Sequence, residues 1–399
     1  MTKRIILSVM LATALLCQSC VKDDTDPMAT EKPYSRVLTI MCLGNNNGLA
    51  ASLKDNIKTI CDNPVPLKTD PKAILIYEHY DNQAPILTRL YSDWRGSISR
   101  DTLLTLSKET VSTSVETMVK VLSYVQEEFQ SDHYGLILSS HGTGWLPKSY
   151  YTYFDGNGPR VSSFGAEGGV TSPDAAEIEL TDLPHCIPFH CDYIIFDACL
   201  MGGVEVAYEM KDVTDKIAFS ATEILARGYQ YDVLLSDVMK NSDYALEDFC
   251  SHFYEFTQSM SSPSDRSCTI SCVRTDKLEA LAAICKPLFS KYRDQLMHLG
   301  PDDVQGFYRY NKQWFFDLED MLVKAGVSSG ERDNLEKAIK ECVTYCNHTD
   351  GFLPNDNGFK IDTYCGLSSY LTGAGNDYLD GVYTYLAWNK ATEYVVMKP

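Results

Sequence analysis

Cys199 closes the run Asp192-Tyr193-Ile194-Ile195-Phe196-Asp197-Ala198 and is followed by Leu200-Met201-Gly202-Gly203. A short run of β-branched and aromatic residues stopped by glycines reads as a buried strand, here delivering a thiol to its carboxyl end. Val204 to Met210 continues with apolar residues at helical spacing. The thiol is thus expected where a strand gives way to the amino end of a helix, whose dipole and unpaired N–H groups favour thiolate. His133-Tyr134-Gly135-Leu136-Ile137-Leu138-Ser139-Ser140 repeats the design and ends at His141-Gly142-Thr143-Gly144. Carboxyl ends of neighbouring parallel strands share one crevice, so the two runs can bring imidazole and thiol together. Cysteine with histidine is a nucleophile with its proton carrier.

Acyl transfer through a thiol also needs donors for a developing oxyanion. The backbone N–H groups of Gly142 and Cys199 are the candidates, because a glycine lets the substrate carbonyl approach closely. Asp197 precedes the turn and could simply cap the following helix. No third residue that would orient the imidazole is legible.

The elements around these motifs follow from periodicity. Arg36 to Leu43 and Lys72 to Tyr77 read as strands, with Leu49 to Cys61 as a helix between them through Leu53, Ile57 and Ile60. Val111, Val115, Met118, Leu122, Val125 and Phe129 lay one apolar stripe along a five-turn helix before the histidine strand. Strand, helix and strand in that order make a parallel crossover unit. Between the motifs, Trp145 to Glu177 shows no helical period, and a loop of that length in a compact domain is usually functional. After a strand at Lys216–Ser220, helices are expected over Asp248–Met260, Thr275–Met297, Phe315–Ala325 and Arg332–Asn347, with a strand at Cys268–Val273.

His141-Gly142 at one strand end and Asp197-Ala198-Cys199 at the next resemble the clostripain family of cysteine peptidases, whose catalytic domain is similar to that of caspases and gingipains. The resemblance runs from about Val37 to Tyr231, with a departure where Gly48 precedes Leu49. It implies an α/β fold: a caspase-like three-layer sandwich with a mostly parallel central sheet. It implies an endopeptidase acting through a Cys199 nucleophile and His141. It also implies that Asp197 belongs to an acidic pocket receiving Arg or Lys, with Glu223 or Asp232 as the second acid. Arg227 in the same loop introduces the opposite charge, which opposes basic substrates. Members of the family can be cut between the two motifs, where Lys148 and Arg160 are basic residues open to cutting. Some need calcium; the sequence has no EF-hand loop, and the chemistry itself requires no cofactor.

Residues 1–19 carry Lys3-Arg4, an apolar run from Ile5 to Leu16, and Cys17-Gln18-Ser19 before Cys20. That is a secretory signal whose end looks like the lipobox of bacterial lipoproteins, with Cys20 as the lipidated residue. Lys22-Asp23-Asp24-Thr25-Asp26 lies in an acidic tether over residues 20–33, similar to signals that send some lipoproteins to the cell surface. The expected location is therefore the outer membrane or cell surface, with the membrane met through the anchor. The catalytic domain is expected over 34–240 and a mainly helical region over 241–399, packed closely on it.

Removal of the signal takes away Lys3 and Arg4 and no acid, moving the formal charge from −19 to −21. Such a surface repels nucleic acid. Of 14 cysteines, Cys17 goes with the signal and Cys20 becomes the anchor, leaving 12 that are expected mostly as buried thiols. His185-Cys186 with His190-Cys191 has zinc-type ligands, but Pro184 and Pro188 and the spacing do not fit a finger or ribbon, so no metal site is assigned. The expected partners are protein or peptide substrates. The alternative is a lipid-anchored binding protein with a catalytically silent caspase-like fold, and the same chemistry with an amine acceptor would make a ligase.

Overall fold

The computed structural model describes residues 33–148, 150, 164–167, 176–240, 242–309 and 312–397. The signal, Cys20 and the acidic tether lie outside the described residues, as does Arg160.

Five strands run parallel at the centre of a nine-stranded sheet: β1 (Arg36–Gly44), β2 (Lys72–Tyr80), β5 (Tyr134–Ser139), β8 (Cys191–Asp197) and β9 (Thr214–Phe219), in the spatial order β2-β1-β5-β8-β9. Antiparallel pairs extend both edges. β3 (Ile86–Ser92) and β4 (Ile98–Thr105) continue from β2, and β10 (Thr269–Arg274) and β13 (Val343–His348) continue from β9. The expected mostly parallel α/β fold is therefore present.

The central strands are apolar at nearly every position because both faces are covered. In β1, Val37, Met41 and Leu43 enter one core layer, and Leu38, Ile40 and Cys42 the other. The first layer is closed by α2 (Val115–Glu128) and α6 (Leu278–Lys291), the second by α1 (Ala50–Cys61) and α5 (Ala245–Gln258). Two short helices, α3 (Val204–Glu209) and α4 (Tyr231–Val238), follow β8 and β9, and another, α7 (Arg293–His298), follows α6.

Several sequence expectations shift. The helix expected from Val111 begins at Val115, because Ser114 caps it by accepting from Thr117 N–H at 3.2 Å. The segment between the motifs contains a hairpin, β6 (Phe164–Glu167) with β7 (Ala176–Ile178). The carboxyl-terminal region is mixed rather than mainly helical. It supplies β10 and β13 to the main sheet. β11 (Gly306–Arg309), β12 (Lys312–Asp317) and β16 (Ser368–Ser369) form a small second sheet, and β14 (Gly351–Phe352) pairs with β15 (Phe359–Lys360). The helix expected over Phe315–Ala325 is the end of β12 followed by α8 (Leu318–Lys324), and that over Arg332–Asn347 is α9 (Ser329–Cys342) followed by β13. In both places an apolar stripe of helical spacing adjoins β-forming residues that pair with a partner remote in sequence, and periodicity alone cannot mark the join.

The described cysteines are free thiols, eight of them buried: Cys42, Cys186, Cys191, Cys250, Cys268, Cys272, Cys285 and Cys342. Cys186 and Cys191 face the core, whereas His185 and His190 are exposed and His190 Nε2 lies 2.9 Å from Asp215. Among the described residues no group of three His, Cys, Asp or Glu is placed to hold a metal, and no helix is long and apolar enough to cross a membrane.

Candidate active site

Register brings the two motifs together. Ser139 of β5 pairs with Asp197 of β8, so His141 and Cys199 each stand two residues beyond a matched position on adjacent parallel strands. Ser140 N–H still donates to Asp197 C=O at 3.3 Å, which keeps the chains side by side past the ends of the strands. A Cβ on Gly142 would sit 2.8 Å from Cys199 C=O and 2.9 Å from Met201 Sδ. Only a residue without a side chain lets the histidine loop lie this close to the cysteine turn. Gly142→Ala is therefore expected to push the two motifs apart, lowering kcat roughly 100-fold at a stability cost of about 1–3 kcal/mol. Peptidase kinetics and a thermal melt check this, and an active variant with an unchanged melt would refute it.

The imidazole has a partner that the sequence did not reveal. His141 Nε2 lies 2.7 Å from Asn47 C=O in the turn after β1. A carbonyl only accepts, so Nε2 carries the proton and the other ring nitrogen, Nδ1, is the one able to exchange a proton with the thiol or the leaving amine. The turn is held by Asn47's own side chain, whose Nδ2 donates to Leu43 C=O and Ala166 C=O, both at 2.8 Å, and whose Oδ1 accepts from Leu49 N–H at 3.1 Å. On its other side, His141 C=O accepts from Gly165 N–H at 2.9 Å, and Gly142 pairs with Phe164.

Cys199 is half-buried, and its Sγ meets the main chain of Ile224: Ile224 N–H donates to the sulfur at 3.4 Å, and the thiol points to Ile224 C=O at 3.7 Å. The expected helix terminus is not at the thiol. Leu200 to Gly203 intervene before α3, which spans only six residues, so the nearest identified main-chain donor is Ile224 N–H rather than a helix end. Leu200 adopts φ 60°, a left-handed conformation costing roughly 1–2 kcal/mol for a side chain of this kind. It is kept there by burial and by its N–H donating to Thr222 C=O at 3.0 Å. Behind the turn, Gly202 C=O accepts from Ser368 N–H at 2.8 Å, and Glu205 Oε1 accepts from Ser369 Oγ, Tyr370 N–H and Tyr383 OH. The carboxyl-terminal region thus braces the cysteine turn.

Asp197 is buried and does not cap α3, whose cap is Gly203. Oδ2 accepts from Ser139 Oγ and Tyr231 OH, each at 2.8 Å, and the carboxylate also meets Tyr229 N–H. Burial pushes its carboxyl above the usual range, against those hydrogen bonds. These partners are all neutral, so the carboxylate has no countercharge among them. Gly228, at φ +63°, passes directly over it, and a Cβ there would come within 3.1 Å of Oδ2. The loop from Glu223 to Gly228 lines a narrow recess with Phe253, Cys268 and Thr269.

Glu223 is in that loop, but Asp232 is exposed on the first turn of α4 and is not among the lining residues. Arg227 also lines the recess, and its guanidinium donates to Asp265 C=O at 2.6 Å and to the Asp265 carboxylate at 3.3 Å. Lys148 is exposed, with its N–H donated to Glu179 Oε1 at 3.0 Å. Ser139 could have been noticed as the last residue of the strand that leads to His141. Asn47, Ile224 and Tyr231 reach the site only through tertiary contacts and left no signal in the sequence.

The model of the clostripain family, Peptidase C11, matches residues 44–349. Clostripain of Hathewaya histolytica is 27% identical over 138 residues, a match covering 31% of this chain and 24% of that protein's length. The crystal structure of an inactive zymogen C11 protease from Parabacteroides distasonis is 28% identical, with 91% of this chain and 99% of that chain covered and a TM-score of 0.74. A secreted C11 cysteine protease from Bacteroides thetaiotaomicron shares the fold at 24% identity and a TM-score of 0.76, covering 90% of this chain and 99% of that one. With a family match extending over most of the sequence and both motifs meeting at adjacent strand ends, the chain belongs to the clostripain family of cysteine peptidases, family C11.

Proposed function

We propose that the protein is an endopeptidase that cuts after Arg or Lys, with Cys199 as nucleophile and His141 as proton carrier. The observation that carries this reading is the uncompensated Asp197 carboxylate two residues before a thiol that shares its crevice with an imidazole. His141 Nδ1 takes the proton of the Cys199 thiol, the resulting thiolate attacks the scissile carbonyl carbon, and the N–H groups of Gly142 and Cys199 receive the oxyanion. On collapse the C–N bond breaks and the leaving amine takes a proton from His141 Nδ1. Water then adds to the thioester, losing a proton to His141 and releasing the acid and the thiol.

Asp197 supplies the charge for a basic side chain, and Glu223, which lines the recess, is the second acid. The pairing of Arg227 with Asp265 neutralises the cation that would oppose it. The zymogen from Parabacteroides distasonis supports synthesis as a precursor, for which Lys148 and Arg160 are the proposed cutting sites. Peptide substrates are supported by the Bacteroides thetaiotaomicron relative solved with an irreversible peptide inhibitor. Lipidation at Cys20 and an outer-membrane or surface location rest on the Ser19-Cys20 ending of the signal.

A positional peptide-library profile of the mature chain, with and without calcium, tests the activity. Cleavage confined to Arg or Lys supports both the peptidase and its pocket. Cleavage after other residues keeps the peptidase and discards the pocket. No cleavage, even after an external protease has cut between the motifs, leaves a lipid-anchored binding protein.

A further inference from the structure

β6 carries a buried carboxylate that takes no part in the steps of peptide cleavage. Glu167 Oε1 accepts from Asn45 Nδ2 at 2.7 Å and lies 2.8 Å from His79 Nδ1 on β2. Glu167 Oε2 accepts from Ser112 N–H at 2.6 Å and from Thr113 N–H at 3.1 Å, at the entry to α2. Glu167 and His79 are 5% and 1% exposed, so this pair is shielded from water. His79 is itself held by Ser112 Oγ at 2.8 Å, which in turn meets Tyr77 OH at 2.7 Å. Burial alone would raise the Glu167 carboxyl, yet hydrogen bonds from His79 and Asn45 hold it below the usual range.

Asn45 and Asn47 belong to one turn, and both are tied to β6: Asn45 through the Glu167 side chain, Asn47 through Ala166 C=O. The turn contains Asn46 at φ 52°, a left-handed conformation that asparagine tolerates, and Asn46 N–H donates to the Asp81 carboxylate, so the ties to β6 act on a turn that is also anchored at its middle. Its last carbonyl is the one that holds His141 Nε2. We propose that Glu167 is a positioning residue for catalysis: by clamping the Asn45–Asn47 turn from the segment between the two motifs, it holds the Asn47 carbonyl where it keeps His141 in the Nε2-protonated tautomer.

The proposal rests on His141 being the proton carrier, and its test is chosen to stand apart from that. The ¹⁵N spectrum of the His141 ring reports the tautomer in the free protein, with no substrate present. Wild type is expected to show protonated Nε2. Glu167→Gln puts an amide N–H₂ against donors and removes the carboxylate from His79. It is expected to yield a mixed tautomer and to lower kcat roughly 10- to 100-fold with KM within about threefold. Asn45→Ala removes one bond on a partly exposed residue and is expected to act in the same direction more weakly; it decides the matter if Glu167→Gln does not fold. A wild-type tautomer and kcat in the folded variants would overturn the proposal. If wild type cleaves no peptide, the peptidase reading fails, while the tautomer comparison still tests the clamp.

Discussion

Cys199→Ala is expected to lower peptide cleavage about 10⁴-fold or more while leaving the fold intact. Thioester chemistry has no substitute for the sulfur, and the other proposed participants move protons or stabilise charge without forming a bond to the substrate carbon. Seven of the buried thiols are poor replacements. Burial pushes Cys186, Cys268 and Cys342 up to about 12, and it raises Cys42, Cys191, Cys250 and Cys285 as well, so none of these offers thiolate near neutral pH. The structural cost is small because Cys199 is half-buried and the bonds of its sulfur to the Ile224 main chain are weak, so the stability change stays within about 1 kcal/mol. Turnover of a fluorogenic peptide, a thermal melt and mass analysis after a peptide electrophile form the check. Wild type should gain one adduct and the variant none. Turnover by a folded Cys199→Ala protein would assign the nucleophile elsewhere.

Asp197→Asn should separate selectivity from stability. The amide keeps the size and an acceptor for Ser139 or Tyr231 but cannot neutralise a guanidinium or ammonium. The preference in kcat/KM for Arg or Lys over a neutral residue is expected to fall roughly 100- to 1000-fold. The stability effect has the opposite sense. A carboxyl raised in the folded state binds its proton more tightly there than when unfolded, where its pKa is about 3.9. Its stabilising contribution is therefore complete below the unfolded value and is lost as pH rises through the folded one. As pH rises through the folded-state value the wild type takes on the cost of a buried charge whose identified partners are neutral, a cost that the amide does not carry. The melting midpoint of Asp197→Asn should exceed that of wild type near neutral pH, and the difference should shrink on acidification toward the carboxylate range. A uniform loss over all substrates would show that Asp197 supports the turn rather than the pocket. A lower midpoint near neutral pH would show that the amide disturbs the hydrogen bonds from Ser139 and Tyr231.

By itself the sequence determined the layered α/β sheet and most of its central strands, because strands buried on both faces are apolar nearly throughout, although β2 runs on through the buried Glu78 and His79 to Tyr80, past the end that its apolar run marks at Tyr77. It thereby also determined that a histidine and a cysteine leave neighbouring strands at matched positions. Local pattern could not mark β13 or β12, since each adjoins a helix and owes its pairing to a strand that the pattern does not reveal. Nor could it show what surrounds the site. The Asn47 carbonyl, the Ile224 main chain and the Glu167 clamp act through atoms that carry no sequence pattern until the chain has folded around them. The second acid of the proposed pocket was left between Glu223 and Asp232, and only the three-dimensional path of one loop set Glu223 beside the recess and left Asp232 exposed. Residue type and spacing announce which chemistry a chain can attempt; the direction of a carbonyl and the absence of a countercharge are properties of packing, and tertiary structure alone decided them.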